Sequence, residues 1–258
     1  MSWSDIAMVL LAGFGAGLAM TAVGAGSLVS FPLLLSVGLT PLVANVCNNV
    51  GLVAGGLSGS FGFRRELAGH RRLVVRVALT SAGGALLGGT LLLVLPASAF
   101  DQVVPYLVLV SATLVGLQPL VARWLRRRAL LAGGPPVASR EHMGPGLTGL
   151  SSLVGVYGGY FGAAQGVLLV AVLGLGLDVD LKVVNGLKNI AVLCANLAAS
   201  VVFILFGPLD WAVVGLIAVG ALVGGWIGAH VARRLPPVVF RTLVVLVGYG
   251  VALQLLLT

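Results

Sequence analysis

The sequence predicts an all-α polytopic membrane protein. Its expected plan is two inverted-topology repeats, each a broken, re-entrant helical hairpin plus three transmembrane helices. Three observations predict it: a composition too apolar for a water-facing surface, an internal repeat with glycine-rich breaks at matching places, and arginines confined to a few connections. Only 9% of the 258 residues are charged and 59% are hydrophobic, whereas soluble domains carry roughly 25% charge. Mean hydropathy is +1.12. A soluble enzyme is excluded, and so is a disordered or fibrous chain. The 38 glycines follow no collagen period and suit close helix approach in lipid. Runs such as Leu91-Leu92-Leu93-Val94-Leu95 lack the alternation of outer-membrane strands, so the spans are helical.

A helix needs about 20 apolar residues to cross the hydrocarbon. Candidate segments run over 5–36, 42–62, 73–95, 103–122, 146–177, 183–206, 210–232 and 239–257. The first and fifth are too long for one upright span, and each is interrupted. The interruptions are Thr21-Ala22-Val23-Gly24-Ala25-Gly26-Ser27 and Tyr157-Gly158-Gly159-Tyr160-Phe161-Gly162-Ala163-Ala164-Gln165-Gly166. Sliding the chain along itself so that Asn45 falls on Asn185 also sets Asn49 on Asn189 and Gly26 on Gly166. Residues 1–122 and 146–258 therefore read as two membrane repeats. Between them, 123–145 reads as a flexible extramembrane linker, holding Arg123, Arg126, Arg127, Arg128, Arg140 and Gly133-Gly134-Pro135-Pro136.

The formal charge of +8 comes from 15 Lys+Arg against 7 Asp+Glu. In a soluble chain this would suggest nucleic acid. Here the arginines sit between apolar spans, where they encode bilayer orientation, and no nucleic-acid partner is expected. One cluster is Arg64, Arg65, Arg71, Arg72 and Arg76; the second is the linker; the third is Arg233, Arg234 and Arg241. The connections 96–102 and 207–210 contain no Lys or Arg. Eight single crossings would put the third cluster opposite the other two. If each broken segment enters and returns on one side, all three clusters fall in the cytoplasm and both termini lie outside. Each repeat then keeps three crossings, an odd number, so the second is upside down. The alternative is two long, tilted, glycine-kinked helices with weak charge bias. The N-terminus lacks the basic stretch of a secretory signal, so the first apolar segment is expected to be retained.

Polar residues inside spans are costly and mark function by default. Asn45, Asn48 and Asn49 occupy one helical face, and Asn185, Lys188 and Asn189 repeat that spacing. Lys188 sets the sign of the ligand, because Asp178 and Asp180 sit at the mouth of their segment and Asp210 lies in a connection. A cationic centre calls for an anion. Helix starts near Ser27 and Gly166 would aim N–H groups at it, with Gly24 and Gly26 leaving room. Tyr160 and Gln165 could add donors, as could Thr21, Ser30 and Tyr157. The competing possibilities are amides that staple helices and a Lys188 that snorkels or pairs with Asp180 or Asp178. His70, His142 and His230 lack metal-ligand spacing, Cys47 and Cys194 sit singly inside spans, and no phosphate loop or HExxH motif occurs. Neither metal, cofactor nor enzymatic activity is expected. Broken helices in inverted repeats are a recurring construction of secondary transporters, with an anion channel as the alternative.

At these motifs the chain resembles the sulfite exporter TauE/SafE family of bacterial membrane transporters. The resemblance spans both halves. It rests on Val23-Gly24-Ala25-Gly26-Ser27 leading to Phe31-Pro32-Leu33-Leu34 and Ala44-Asn45, and on Gly158-Gly159-Tyr160-Phe161-Gly162-Ala163 with Asn185-Gly186-Leu187-Lys188-Asn189. The second break departs from the pattern, with Val172 where Pro32 aligns. The resemblance implies export of small sulfur-containing anions, such as sulfite or organosulfonates, across a bacterial inner membrane.

Overall fold

The computed structural model describes residues 1–131, 142–231 and 238–257. The described residues include ten helices: α1 (Trp3–Ala22), α2 (Ser27–Ser36), α3 (Pro41–Gly62), α4 (Arg71–Val94), α5 (Ala97–Leu131), α6 (Pro145–Tyr160), α7 (Gln165–Gly176), α8 (Leu181–Phe206), α9 (Trp211–Val231) and α10 (Val238–Leu257). Their starts carry local signals. Ser2 and Asp5 form a reciprocal capping box on α1. Asp180 accepts the Lys182 N–H at 2.8 Å to cap α8, and Asp210 accepts those of Ala212 and Val213 at the start of α9. Pro41 and Pro145 open α3 and α6, where a missing N–H costs nothing.

Polarity is distributed as lipid requires. Asn45, Asn48, Asn49, Gln165, Lys188, Asn189 and Asn196 are buried, while Leu79, Leu87, Leu120, Leu205 and Phe206 face outward. Among the described residues, α1, α4, α8, α9 and the 97–120 stretch of α5 are long and apolar enough to cross a membrane. The protein is a multi-pass membrane protein.

α1 is long enough to cross, and its contacts make it one arm of a hairpin. Ser36 Oγ, at the end of α2, lies 3.3 Å from Met8 Sδ. A Cβ on Gly15 would lie 3.0 Å from Val29, and one on Gly26 would lie 2.8 Å from the Met20 Cβ. α2 therefore runs back antiparallel along α1. α7 does the same along α6, with Gly176 against Leu147 and the Gln165 amide over Gly158.

Glycine faces bring the remaining helices together. α1 runs parallel to α9, with Gly13 against Ile217, Gly17 against Ala221 and Gly228 against Leu18. α6 runs parallel to α4, with Gly155 against Ser81 and Gly159 against Ala85. The stripe Gly51, Gly55 and Gly59 packs on Ile217, Ala221 and Thr21. These contacts agree with packing roles expected for small residues in lipid. α3 and α8 cross antiparallel, Asn49 meeting Asn196 and Ser200 while Gly56 meets Leu193.

One boundary differs from the sequence expectation. α5 continues to Leu131, so the first part of the 123–145 linker is helix, as its Ala, Leu and Arg content favours. Residues 132–141, with Gly133-Gly134-Pro135-Pro136 and Arg140, lie outside the described residues, as do Arg233 and Arg234.

Candidate functional site

The two breaks meet. After α1, the N–H groups of Val23 and Gly24 both turn back to the Ala19 carbonyl, at 2.8 and 2.9 Å. Gly24 then takes φ +86°, a backbone region open to glycine. Before α7, Gly162 and Ala164 take φ +75° and +59°. For Ala164 this conformation is strained by about 1–3 kcal/mol. Its neighbour is held firmly: the Ala163 carbonyl accepts from Tyr157 Oη at 2.5 Å and from Ser111 Oγ at 3.1 Å. From these two turns, the Gly166 N–H donates to the Gly24 carbonyl at 3.1 Å. A Cβ on Gly166 would stand 2.6 Å from Gly24 Cα, so neither tip has room for a side chain.

α5 steadies both tips from one side. Ser111 holds the Ala163 carbonyl, and Gln118 Nε2 donates to the Val23 carbonyl at 3.2 Å. Two helical turns separate these residues. Neither was a candidate on sequence, although their shared face in an apolar span is a usable signal.

Lys188 reaches into this junction. It is 1% exposed, its Nζ donates to the Thr21 carbonyl at 3.1 Å, and its Cδ lies 3.1 Å from where a Gly166 Cβ would be. Thr21 belongs to the last turn of α1, whose free carbonyls form the negative end of the helix and suit a cation. The lysine therefore neither snorkels nor pairs with Asp180, which caps α8. An ammonium carries three donors, and Thr21 takes one. Thr21 Oγ1, Ser60 Oγ, Asn189 Nδ2 and both polar atoms of Gln165 are buried without a hydrogen-bond partner among the described residues.

The other candidates are distributed around this centre in distinct ways. Asn45 crosses to the second hairpin, donating to the Tyr160 carbonyl at 2.9 Å. Asn48 serves the first hairpin, accepting from Ser30 at 2.5 Å and donating to Ser27 at 3.0 Å. Asn49 is taken up at the α3–α8 crossing, donating to Asn196 at 3.5 Å and accepting from Ser200 at 3.4 Å. Asn185 turns back on its own helix to the Leu181 carbonyl at 2.8 Å. The Gly166 N–H, expected to face an anion, is committed to Gly24 instead, because the tips pack backbone to backbone. Gly26 packs on Ala16 and Met20. The Tyr160 ring stands edge-on to Phe100 at 5.7 Å, and Phe161 edge-on to Phe31 at 5.4 Å.

Among the described residues no three His, Cys, Asp or Glu side chains come together as metal ligands. Cys47 is structural, its Sγ accepting the Asp210 N–H at 3.2 Å.

Residues 9–255 match the family described as Sulfite exporter TauE/SafE. A Sinorhizobium protein named "Probable membrane transporter protein ORF9" is 27% identical over 97% of this chain and 92% of its own length. A Haemophilus influenzae "Probable membrane transporter protein" is 26% identical over 95% and 91% of the two chains. "Probable membrane transporter protein YfcA" of Escherichia coli K12 is 26% identical over 96% and 87%. No solved structure matches.

Proposed function

We propose that this chain, which belongs to the sulfite exporter TauE/SafE family, moves small sulfur-containing anions such as sulfite or organosulfonates out of the cell by alternating access. Membership makes it a membrane transporter. The observation that carries the finer statement is Lys188, a fully buried cation where two hairpin tips are hydrogen-bonded to each other. A desolvated ammonium with donors to spare draws an oxyanion. The unpartnered hydroxyl of Thr21, whose carbonyl Lys188 meets, and the unpartnered amide nitrogen of the lysine's neighbour Asn189 add donors.

The moving parts in this proposal are inverted repeats, 1–122 and 146–258. Two features support them: the matched asparagine helices α3 and α8 cross antiparallel, and the halves exchange partners, α1 on α9 and α6 on α4. Rocking one bundle on the other would open the tip region to either side in turn. With the three basic clusters in the cytoplasm and both termini in the periplasm of a bacterial inner membrane, an inside-negative potential favours anion exit. That drive is about 2.3 kcal/mol per charge per 100 mV.

The test is counterflow in liposomes holding the purified protein. Unlabelled sulfite inside should drive labelled sulfite uphill and the flux should saturate. Current that rises with driving force and shows no exchange would mark a channel.

A further inference from the structure

The antiparallel register of α3 and α8 sets two polar groups in matching positions, and the two have fared differently. In the first, both ends of the Asn49 amide are used, by Asn196 and Ser200. Asn48 is likewise satisfied by Ser27 and Ser30. Carried along both helices, the same register pairs Asn189 with Gly56 and Ser60, the positions that match Asn196 and Ser200 in the repeat. Where the first group has Asn196, this one has Gly56, which carries no amide. Asn189 Nδ2 and Ser60 Oγ are accordingly without partners among the described residues. Where the first group has Asn48, this one has Lys188.

The hairpin tips differ in the same sense. The matching turns, Val23 and Gly24 back to Ala19 and Phe161 and Gly162 back to Tyr157, pair Thr21 with Gly159. Gly159 has no side chain and packs on Ala85. Thr21 instead offers its carbonyl to Lys188. Its unpartnered hydroxyl points at α3, only 2.5 Å from where a Gly59 Cβ would stand, one residue before Ser60. All four side chains are at least nine-tenths buried.

We infer that the two groups have divided into a lock and a binding site: Asn48, Asn49, Asn196 and Ser200 tie the helices, while Lys188, Asn189, Thr21 and Ser60 take one small oxyanion of single negative charge. This inference rests on the anion-transport proposal above and deepens it. The chemistry is that of the groups present. An ammonium, an amide NH₂ and two hydroxyls can all donate, so they suit a ligand with several acceptor oxygens. The only formal charge in the group is that of Lys188, which balances one negative charge. A dianion would leave a second charge uncompensated in a low-dielectric interior, where desolvation outweighs what neutral donors return.

The experiment uses the full-length protein in liposomes with labelled sulfite as cargo. Methanesulfonate, always monovalent near neutral pH, and sulfate, divalent there, are offered as competitors. Methanesulfonate should compete at least about tenfold more strongly than sulfate, and equal competition overturns the inference. Ser60→Ala should weaken apparent affinity at least about tenfold, the loss of one hydrogen bond to a charged ligand, with the melting temperature kept. Ser200→Ala should lower the melting temperature and leave affinity within about twofold. Equal effects of the two serines on affinity also overturn it, with transport still standing. If the unaltered protein moves no sulfite and no methanesulfonate, the transport proposal fails and this inference with it.

Discussion

The Gly166 N–H donates to the Gly24 carbonyl at 3.1 Å, joining two hairpin tips from opposite halves of the chain. The contact leaves a backbone-only seam, and Lys188 is the cation beside it. A pair of chain breaks is thereby turned into a defined place for charge. The carbonyls of Thr21, Val23, Gly24 and Ala163 at these breaks all meet protein donors.

Replacing Gly24 by Ala tests that seam. The new Cβ would meet Gly166 backbone at 2.9 Å, in addition to the cost of φ +86°. Gly38, at φ +89° with open space around it, carries only the conformational cost, about 1–2 kcal/mol. Thermal unfolding in detergent should therefore show a clearly larger loss for Gly24→Ala than for Gly38→Ala. Equal losses would mean that the tips do not touch.

The Ala163 carbonyl lies within hydrogen-bond reach of two hydroxyls, Tyr157 and Ser111, which stand 2.6 Å apart and share their two protons among the three contacts. Tyr157→Phe and Ser111→Ala should each cost about 1 kcal/mol. Because they share an acceptor, the double variant should depart from additivity by at least about 0.5 kcal/mol. Additive losses in unfolding experiments would place the two hydroxyls in separate environments.

Asn45 links α3 to the second hairpin through the Tyr160 carbonyl. Asn45→Ala should lower stability by about 0.6–1.7 kcal/mol, the range for amides bridging helices in lipid. Asn185→Ala, removing only a bond to the same helix at Leu181, should be nearly silent. The comparison reads out which asparagine spans elements.

Orientation is open to labelling from either side of the membrane. Arg65→Cys, Arg127→Cys and Arg234→Cys should all react from the cytoplasm, and Ser2→Cys from the opposite face, as charge bias requires. Reaction of Arg65→Cys and Arg234→Cys from different faces would undo the inverted arrangement.

Much of this fold was legible because its signals are local. Apolar length marks the spans, and the glycine-rich runs at 21–27 and 157–166 mark the breaks. The repeated Asn spacing on α3 and α8 was visible as well, since it follows helical period. Three things were not. Ser111 and Gln118 look like stray polar residues until α5 is laid against both tips. The partners of Asn49, Asn196 and Ser200, are set by the crossing of two helices far apart in sequence. The end of α5 is hidden because Arg-rich sequence reads as linker and yet forms good helix past 122. Lys188 was legible as a buried charge, but its attachment to the Thr21 carbonyl depends on how α1 stops.

Lys188 carries the central claim, and its removal is the most direct test. Lys188→Met keeps the length and apolar stem of the side chain and deletes the charge, so the protein should still fold and insert. Sulfite flux into liposomes should fall at least about a hundredfold, the cost of losing a buried charge partner, while Lys182→Met on the exposed start of α8 leaves it unchanged. A folded Lys188→Met protein that carries sulfite at the unaltered rate would contradict the account.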